Sequence, residues 1–122
     1  MRVKMLIASA VLLASSHALA AGDAAKGQAA FAANCGFCHA VTPGQTLMGP
    51  SLVGVAGNPA AKVAGFTYTP ALTGANLTWD DATMDQWLTN PMAMVPGTMM
   101  AFPGVADAAT RADLIAYLNT LK

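Results

Sequence analysis

The last part of the chain has the clearest hydrophobic pattern. Apolar residues recur there at positions i, i+1, i+4 and i+7, which form one face of an α-helix; they are Leu114, Ile115, Leu118 and Leu121. Asp107 stands before this run, and aspartate is a preferred N-cap residue. The pattern predicts a C-terminal helix that begins after Asp107 and buries its leucine face.

A second helix is predicted near the start of the chain. Asp23 is a suitable N-cap for a helix that runs from Ala24 to about Asn34. Within this helix, Gly27 and Phe31 lie one turn apart on the same face. The helix leads directly into the two cysteines of the chain.

Two further helices are predicted in the middle of the chain. Pro70 suits the first turn of a short helix that ends near Gly74. Thr78 is a suitable cap for a helix from Trp79 to Thr89, which Asn90-Pro91 then stops. Because no segment alternates as a strand does, the predicted fold class is all-α.

Two segments are expected to form ordered loops. Residues 40–65 and 91–104 are rich in glycine, proline and small residues, and neither has a sustained period. The apolar side chains within the first loop, such as Leu52, need a surface to pack on. The 122-residue chain, without the first twenty residues that are discussed next, is small for a core built from side chains alone. An embedded cofactor would therefore help it to fold.

The first twenty residues have the pattern of a secretory signal peptide. Arg2 and Lys4 precede an apolar run over residues 5–13, and the segment closes with the small-residue pattern Ala18-Leu19-Ala20. The run is shorter than the ~20 residues that a membrane-spanning helix needs. We therefore expect cleavage after Ala20, export to the periplasm, no membrane span, and one domain over residues 21–122.

The charge of residues 21–122 excludes one class of partner. Four basic side chains stand against six aspartates in this range; the basic ones are Lys26, Lys62, Arg111 and Lys122. They are dispersed along the chain, whereas binding to nucleic acid needs a basic patch that neutralises phosphates. We expect no nucleic-acid partner.

The decisive motif is Cys35-Gly36-Phe37-Cys38-His39, because Cys-x-x-Cys-His is the attachment pattern of c-type haem. Two thiols separated by two residues project from one turn of chain, and each can form a thioether with a haem vinyl group. The imidazole of His39 then lies beneath the iron and is a suitable ligand. The motif predicts one covalent haem c.

Three other interpretations of the cysteines are weaker. A disulfide between Cys35 and Cys38 would close a very short loop and constrain little of the unfolded chain. A thioredoxin-like pair would need a strand and helix around it. A structural zinc site needs four ligands, and the second histidine, His17, leaves with the signal peptide.

The second axial ligand of the iron is expected to be a methionine, because a thioether suits haem iron and no second histidine remains. Six methionines are available: Met48, Met84, Met92, Met94, Met99 and Met100. Residues 96–103 favour the last two, since proline and glycine there predict a rigid loop. Spacing alone does not choose between Met99 and Met100.

Over residues 21–122 the chain resembles the class I cytochromes c, mitochondrial-like and bacterial periplasmic. The matching segments follow the order and nearly the spacing of that family. They are Gly27 and Phe31 before the cysteine motif, Gly49-Pro50-Ser51-Leu52, Gly65-Phe66-Thr67-Tyr68, Leu77-Thr78-Trp79, Asn90-Pro91, Pro96-Gly97-Thr98-x-Met100-x-Phe102 and Arg111-x-Asp113-Leu114-Ile115-Ala116-Tyr117-Leu118.

This resemblance implies a fold of four to five short helices and ordered loops around one covalent haem, with the N- and C-terminal helices crossing near Gly27. It selects Met100 as the second iron ligand opposite His39. It also implies that the Pro50 carbonyl accepts a hydrogen bond from His39. By the same mapping, Tyr68 and Trp79 hydrogen-bond a haem propionate.

The chain departs from the family pattern at two places. The family usually carries lysines around the exposed haem edge, but here the loop reads Pro91-Met92-Ala93-Met94-Val95, and Met99 precedes the expected ligand. We therefore expect a monomer that docks transiently through an apolar patch at the haem edge. Asn58 and Leu72 stand where the family often has an arginine and an asparagine.

The resemblance implies a one-electron carrier between respiratory or photosynthetic redox complexes, because histidine and methionine together leave no open site on the iron. Two alternatives remain at this point. One is a small peroxidase or gas-binding haem protein in which Met100 does not stay bound. The other is a subunit that remains docked to one dehydrogenase or oxidase.

Overall fold

The computed structural model describes residues 21–122, and the expected signal peptide lies outside them. In this range the chain forms five short helices and no sheet. They are α1 (Ala24–Asn34), α2 (Pro70–Gly74), α3 (Asp81–Thr89), α4 (Pro91–Met94) and α5 (Ala108–Leu118). The predicted all-α fold is therefore confirmed.

The two longest helices begin where the sequence predicts, because an aspartate caps each of them. The Asp23 carboxylate accepts hydrogen bonds from the backbone N–H groups of Ala25 and Lys26, at 2.9 and 3.1 Å. The Asp107 carboxylate accepts from the side chain and backbone of Thr110, which lower the pKa of this carboxyl. Each cap satisfies donors that the first turn of a helix leaves free.

Helices α1 and α5 pack closely where they meet at Gly27. A Cβ atom at this glycine would lie 1.9 Å from the carbonyl oxygen of Asp113, so only glycine permits the observed approach. Beside this contact, the rings of Phe31 and Tyr117 pack edge to face with centroids 5.5 Å apart. Leu114 is 1% exposed and completes the interface.

Helix α3 begins later than the sequence indicates. The predicted start was Trp79 with Thr78 as cap, whereas α3 begins at Asp81 with the Asp80 carboxylate accepting from the backbone of Thr83 at 2.8 Å. The reason lies in the backbone of Trp79. Its N–H donates to Asn58 and its carbonyl accepts from Gly57, at 2.9 and 2.7 Å. These bonds to a distant loop keep the chain extended through Trp79.

The segment after α3 also differs from expectation, since residues 91–104 were predicted to be irregular throughout. Asn90 ends α3 and then caps α4, where its side-chain oxygen accepts from Ala93 at 3.2 Å. Proline at the first position of α4 suits a helix start. The loop that follows is therefore anchored at its beginning by a capped turn of helix.

The end of this loop is held between α3 and α5. The backbone N–H of Val105 donates to Leu88 at 2.7 Å. Arg111 of α5 forms an ion pair with Asp85 of α3 at 2.7 Å and also donates to the carbonyls of Val105 and Ala106. The methionine-containing loop is thus fixed at both ends.

We predict that Gly27→Ala destabilises the fold, because the added methyl group must displace the backbone of α5. Overpacking of a close contact costs about 1 to 3 kcal/mol, and a clash with backbone places this substitution at the upper end. The free energy of unfolding of the haem-loaded protein, measured in denaturant, tests this. Gly74→Ala is the matched control, since nothing lies within 4 Å of a Cβ there. Equal stability of the two variants would contradict the prediction.

Candidate haem site

Parts of α1, α3 and α5, together with the long loops, enclose a cavity of about 510 Å³ with mostly apolar walls. This volume is in the range of cofactor sites. Six of the seven predicted site residues line it: Cys35, His39, Pro50, Tyr68, Trp79 and Met100. The seventh, Cys38, stands on the same turn of chain as Cys35. The structure therefore brings the predicted residues together.

The cysteines lie on a tight turn that continues directly from α1. The backbone N–H groups of Cys35 and Gly36 both donate to the carbonyl of Phe31, at 2.7 and 2.9 Å. Those of Cys38 and His39 then donate to the carbonyl of Cys35, at 3.1 and 2.9 Å. The two thiols and the imidazole are thus presented by one hydrogen-bonded turn.

Neither thiol is bonded to the other in this structure. Burial raises the pKa of the Cys35 thiol to about 11, and the nearby Cys38 adds to this rise. The sulfur atom of Cys38 lies 3.9 Å from that of Met48. In this fold a free thiol at Cys35 is therefore protonated at neutral pH.

The ring of His39 is held from two sides. Its Nδ1 lies 2.8 Å from the carbonyl oxygen of Pro50. Because a carbonyl only accepts, this contact requires the proton on Nδ1 and leaves the lone pair on Nε2 for a metal. On the other side, a Cβ at Gly49 would lie 2.5 Å from Cε1 of the ring, so glycine makes room for the imidazole.

The methionine loop brings two adjacent thioethers to the cavity. Met99 and Met100 both line it, but Met99 is 60% exposed whereas Met100 is partly buried. The loop turns at Gly97, where φ is +91°. Beside this turn, Thr98 donates its backbone N–H to Val95 at 3.1 Å. Burial thus distinguishes two neighbours that the sequence pattern alone does not.

Tyr68 and Trp79, the two aromatic residues expected to bind a haem propionate, both line the cavity. The hydroxyl oxygen of Tyr68 accepts a hydrogen bond from the backbone of Val63 at 3.2 Å, which leaves its own proton for another acceptor. Burial raises the pKa of Tyr68, so its hydroxyl is protonated at neutral pH. Trp79 packs edge to face against Trp87, with centroids 5.2 Å apart.

Comparison with known proteins identifies the family. Residues 22–118 match the family model described as cytochrome C oxidase, cbb3-type, subunit III. Cytochrome c2 of Rhodomicrobium vannielii is 43% identical over 119 residues, which cover 97% of this chain and 94% of that protein. Cytochrome c2 of Rhodoblastus acidophilus is 44% identical over 103 residues, which cover 84% and 95%. The chain belongs to the class I cytochromes c.

A solved structure agrees with this assignment. Cytochrome cH from Methylobacterium extorquens matches with a TM-score of 0.75 and 44% identity, over 81% of this chain and 99% of that one. Like these relatives, this class I cytochrome c carries covalently attached haem c and acts as an electron carrier. The apolar cavity beside two thiols and a correctly protonated imidazole fits that group.

Two findings concern other classes of site in the described part of the chain. Residues 21–122 hold no group of three or more histidine, cysteine, aspartate or glutamate side chains that could bind a metal ion. Within the same range, no helix has the length and apolar character needed to cross a membrane.

One part of the cavity wall was not predicted from the sequence. Residues 61–64 line the cavity, and Lys62 is among them. A signal for it exists in the charge pattern, since Lys62 is, apart from His39, the only acidic or basic residue between Lys26 and Asp80.

We predict that Gly49→Ala displaces the His39 ring, because the new methyl group would overlap Cε1 and Nδ1. The variant should unfold at a lower temperature in the haem-loaded form and should incorporate less haem during expression. Gly36→Ala, within the attachment motif itself, is the control, since a Cβ there meets its nearest neighbour at an ordinary 3.5 Å. Loss of haem loading in the control alone would contradict the prediction.

Proposed function

We propose that this cytochrome is a periplasmic one-electron carrier whose iron is ligated by His39 and Met100, with thioether bonds at Cys35 and Cys38. The observation that carries the proposal is the 2.8 Å contact between Nδ1 of His39 and the carbonyl of Pro50, on the same cavity as Met100. Because the proton is on Nδ1 in this contact, the lone pair of Nε2 is available to bind the iron. The proposed partners are periplasmic or membrane-bound redox complexes.

When bound, haem c supplies an iron that gains and loses one electron. The chain contributes ligands that are already in place. Hydrogen bonds within the attachment turn and to Pro50 fix His39, and the loop anchored at α4 and Val105 fixes Met100. Ligands held in this way rearrange little between the two oxidation states, which keeps electron transfer fast.

The residues available favour a carrier over a peroxidase or gas-binding protein. Cleavage of peroxide on haem is assisted by a polar group on the open side of the iron. His39 is the only histidine in residues 21–122, and Arg111 is the only arginine. Arg111 is engaged with Asp85 and does not line the cavity. The proposal is therefore a carrier without enzymatic activity.

Export is proposed from residues 1–20, whose charged start, apolar run and Ala18-Leu19-Ala20 ending are typical of a cleaved leader. A periplasmic location is also proposed because the chain is similar to bacterial cytochromes c2. Mass spectrometry of the purified protein tests the site of cleavage.

The proposed docking surface is an uncharged apolar rim close to the cysteines and the methionine loop. We define this apolar rim by its exposed side chains: Phe37, Val41, Leu47, Met48, Met92 and Met99. Phe37 is 85% exposed between the two cysteines. Exposed apolar groups of this kind favour binding through desolvation, with little electrostatic steering. The cytochrome is accordingly proposed to be a monomer that docks transiently.

We predict that Met100→Ala removes the weak near-infrared band of sulfur-ligated ferric haem, because it removes the proposed ligand. The band should be present in the oxidised wild-type protein. Met99→Ala is the matched control, since it deletes the adjacent thioether from the same loop and should leave the band unchanged.

Two results would contradict this ligand assignment. One is loss of the band in Met99→Ala with retention in Met100→Ala. The other is absence of the band from the wild-type protein together with ready binding of cyanide or peroxide, which would favour an open iron and an enzyme.

We predict that the double variant Met92→Lys, Met99→Lys weakens electron exchange with membranes of the source organism. Two ammonium groups must then be desolvated in the interface, so kcat/KM should fall roughly tenfold, which corresponds to ~1.4 kcal/mol. Ala82→Lys, Ala109→Lys adds the same charge at exposed positions of α3 and α5 and should change little. In the wild-type protein, kcat/KM should depend only weakly on ionic strength. Equal kinetics of the two double variants would exclude the apolar rim as the docking surface.

A further inference from the structure

The cavity contains one charged side chain among the described residues that line it, and this is Lys62. The other lining side chains are apolar or neutral, apart from the imidazole of His39. Apart from His39, no other acidic or basic residue occurs between Lys26 and Asp80. Lys62 is therefore a single cation at the margin of an otherwise uncharged wall.

The backbone around Lys62 is fixed by bonds to the segment that contains Trp79. Gly57 donates to the carbonyl of Trp79 at 2.7 Å, and Ala60 donates to that of Leu77 at 2.8 Å. Ala61, directly before Lys62, has a φ of +61°. This left-handed conformation is unfavourable for alanine, and the surrounding bonds hold it. The position of Lys62 is thus built into the loop.

The same loop links the neighbour of Lys62 to Tyr68. Val63, the residue after Lys62, donates its N–H to the hydroxyl of Tyr68 at 3.2 Å. Lys62 therefore directly precedes a residue that bonds to Tyr68, and both Lys62 and Tyr68 line the cavity.

Asn58 does not supply a positive charge at this end of the cavity. Its side-chain amide donates to the carbonyl of Gly54, within its own loop. A carboxylate placed against this wall would meet neutral donors and a single ammonium group, that of Lys62.

Haem c carries two propionate carboxylates, and ionised carboxylates are disfavoured at an apolar wall unless a cation or several donors compensate. We propose that Lys62 is the cation that pairs with a haem propionate in this cytochrome. The long aliphatic stem of lysine allows the ammonium group to reach the cavity from an exposed position. The proposal rests on haem c in the cavity, as in the proposed function.

The pair has a consequence for the reduction potential. A propionate carboxylate favours the ferric state, because the ferric iron carries one more positive charge than the ferrous iron. Lys62 opposes this field and so favours the ferrous state. Replacement of Lys62 by an uncharged residue should lower the potential.

The test compares the reduction potentials of three haem-loaded variants with that of the wild-type protein. Lys62→Met keeps the apolar stem and removes the charge, Lys62→Arg keeps the charge, and Lys26→Met removes the same charge from the exposed face of α1. At a fixed ambient potential, the ferrous to ferric ratio should fall roughly two- to fivefold in Lys62→Met. The other two variants should match the wild-type protein, and high salt should reduce the difference.

Equal shifts in Lys62→Met and Lys26→Met, or no shift in either, would overturn the proposal. The near-infrared band of each variant is recorded in the same samples. If the band is present throughout and Lys62→Met shows no specific shift, the propionate pairing fails while the ligation by His39 and Met100 stands. If the band is absent from the wild-type protein, the ligation fails, whatever the Lys62 variants show.

Discussion

The close contact between α1 and α5 at Gly27 determines the position of the haem attachment turn. The turn follows directly after α1. It is held there because the backbone N–H groups of Cys35 and Gly36 donate to the carbonyl of Phe31. Phe31 in turn packs on Tyr117 of α5. Since α5 is tied to α3 through Arg111 and Asp85, the same contact relates the attachment turn to the methionine loop that follows α3. The two sides of the iron site are therefore connected through one helix crossing.

The cavity explains why so small a chain depends on a cofactor. Its walls are mostly apolar, and contact with haem would remove this apolar surface from water, which is the dominant favourable contribution to folding. The loop over residues 40–65 is stabilised in the same way, because Leu52, Val53 and Val55 line this space.

The features predicted correctly from the sequence are those that depend on neighbouring residues. Asp23 and Asp107 cap their helices through donors two or three residues away, and the attachment motif is contained in five consecutive residues. The start of α3 was predicted wrongly because the backbone of Trp79 bonds to a loop about twenty residues earlier, and helix propensity carries no record of such a partner. Lys62 was missed for the same reason, since its place on the cavity wall follows from that pairing.

The contact between the start of α1 and α5 also limits where a tag or surface linker can be attached to the protein. A Cβ at Gly22 would lie 2.0 Å from the carbonyl of Ala112, and the backbone N–H of Asp23 donates to the carboxylate of Asp113 at 2.8 Å. Gly22 and Asp23 therefore lie in close contact with α5. An affinity tag or fusion partner placed directly before these residues would crowd the contact between α1 and α5. Lys122 is exposed, so the carboxyl end is the better point of attachment for purification or for immobilisation on an electrode.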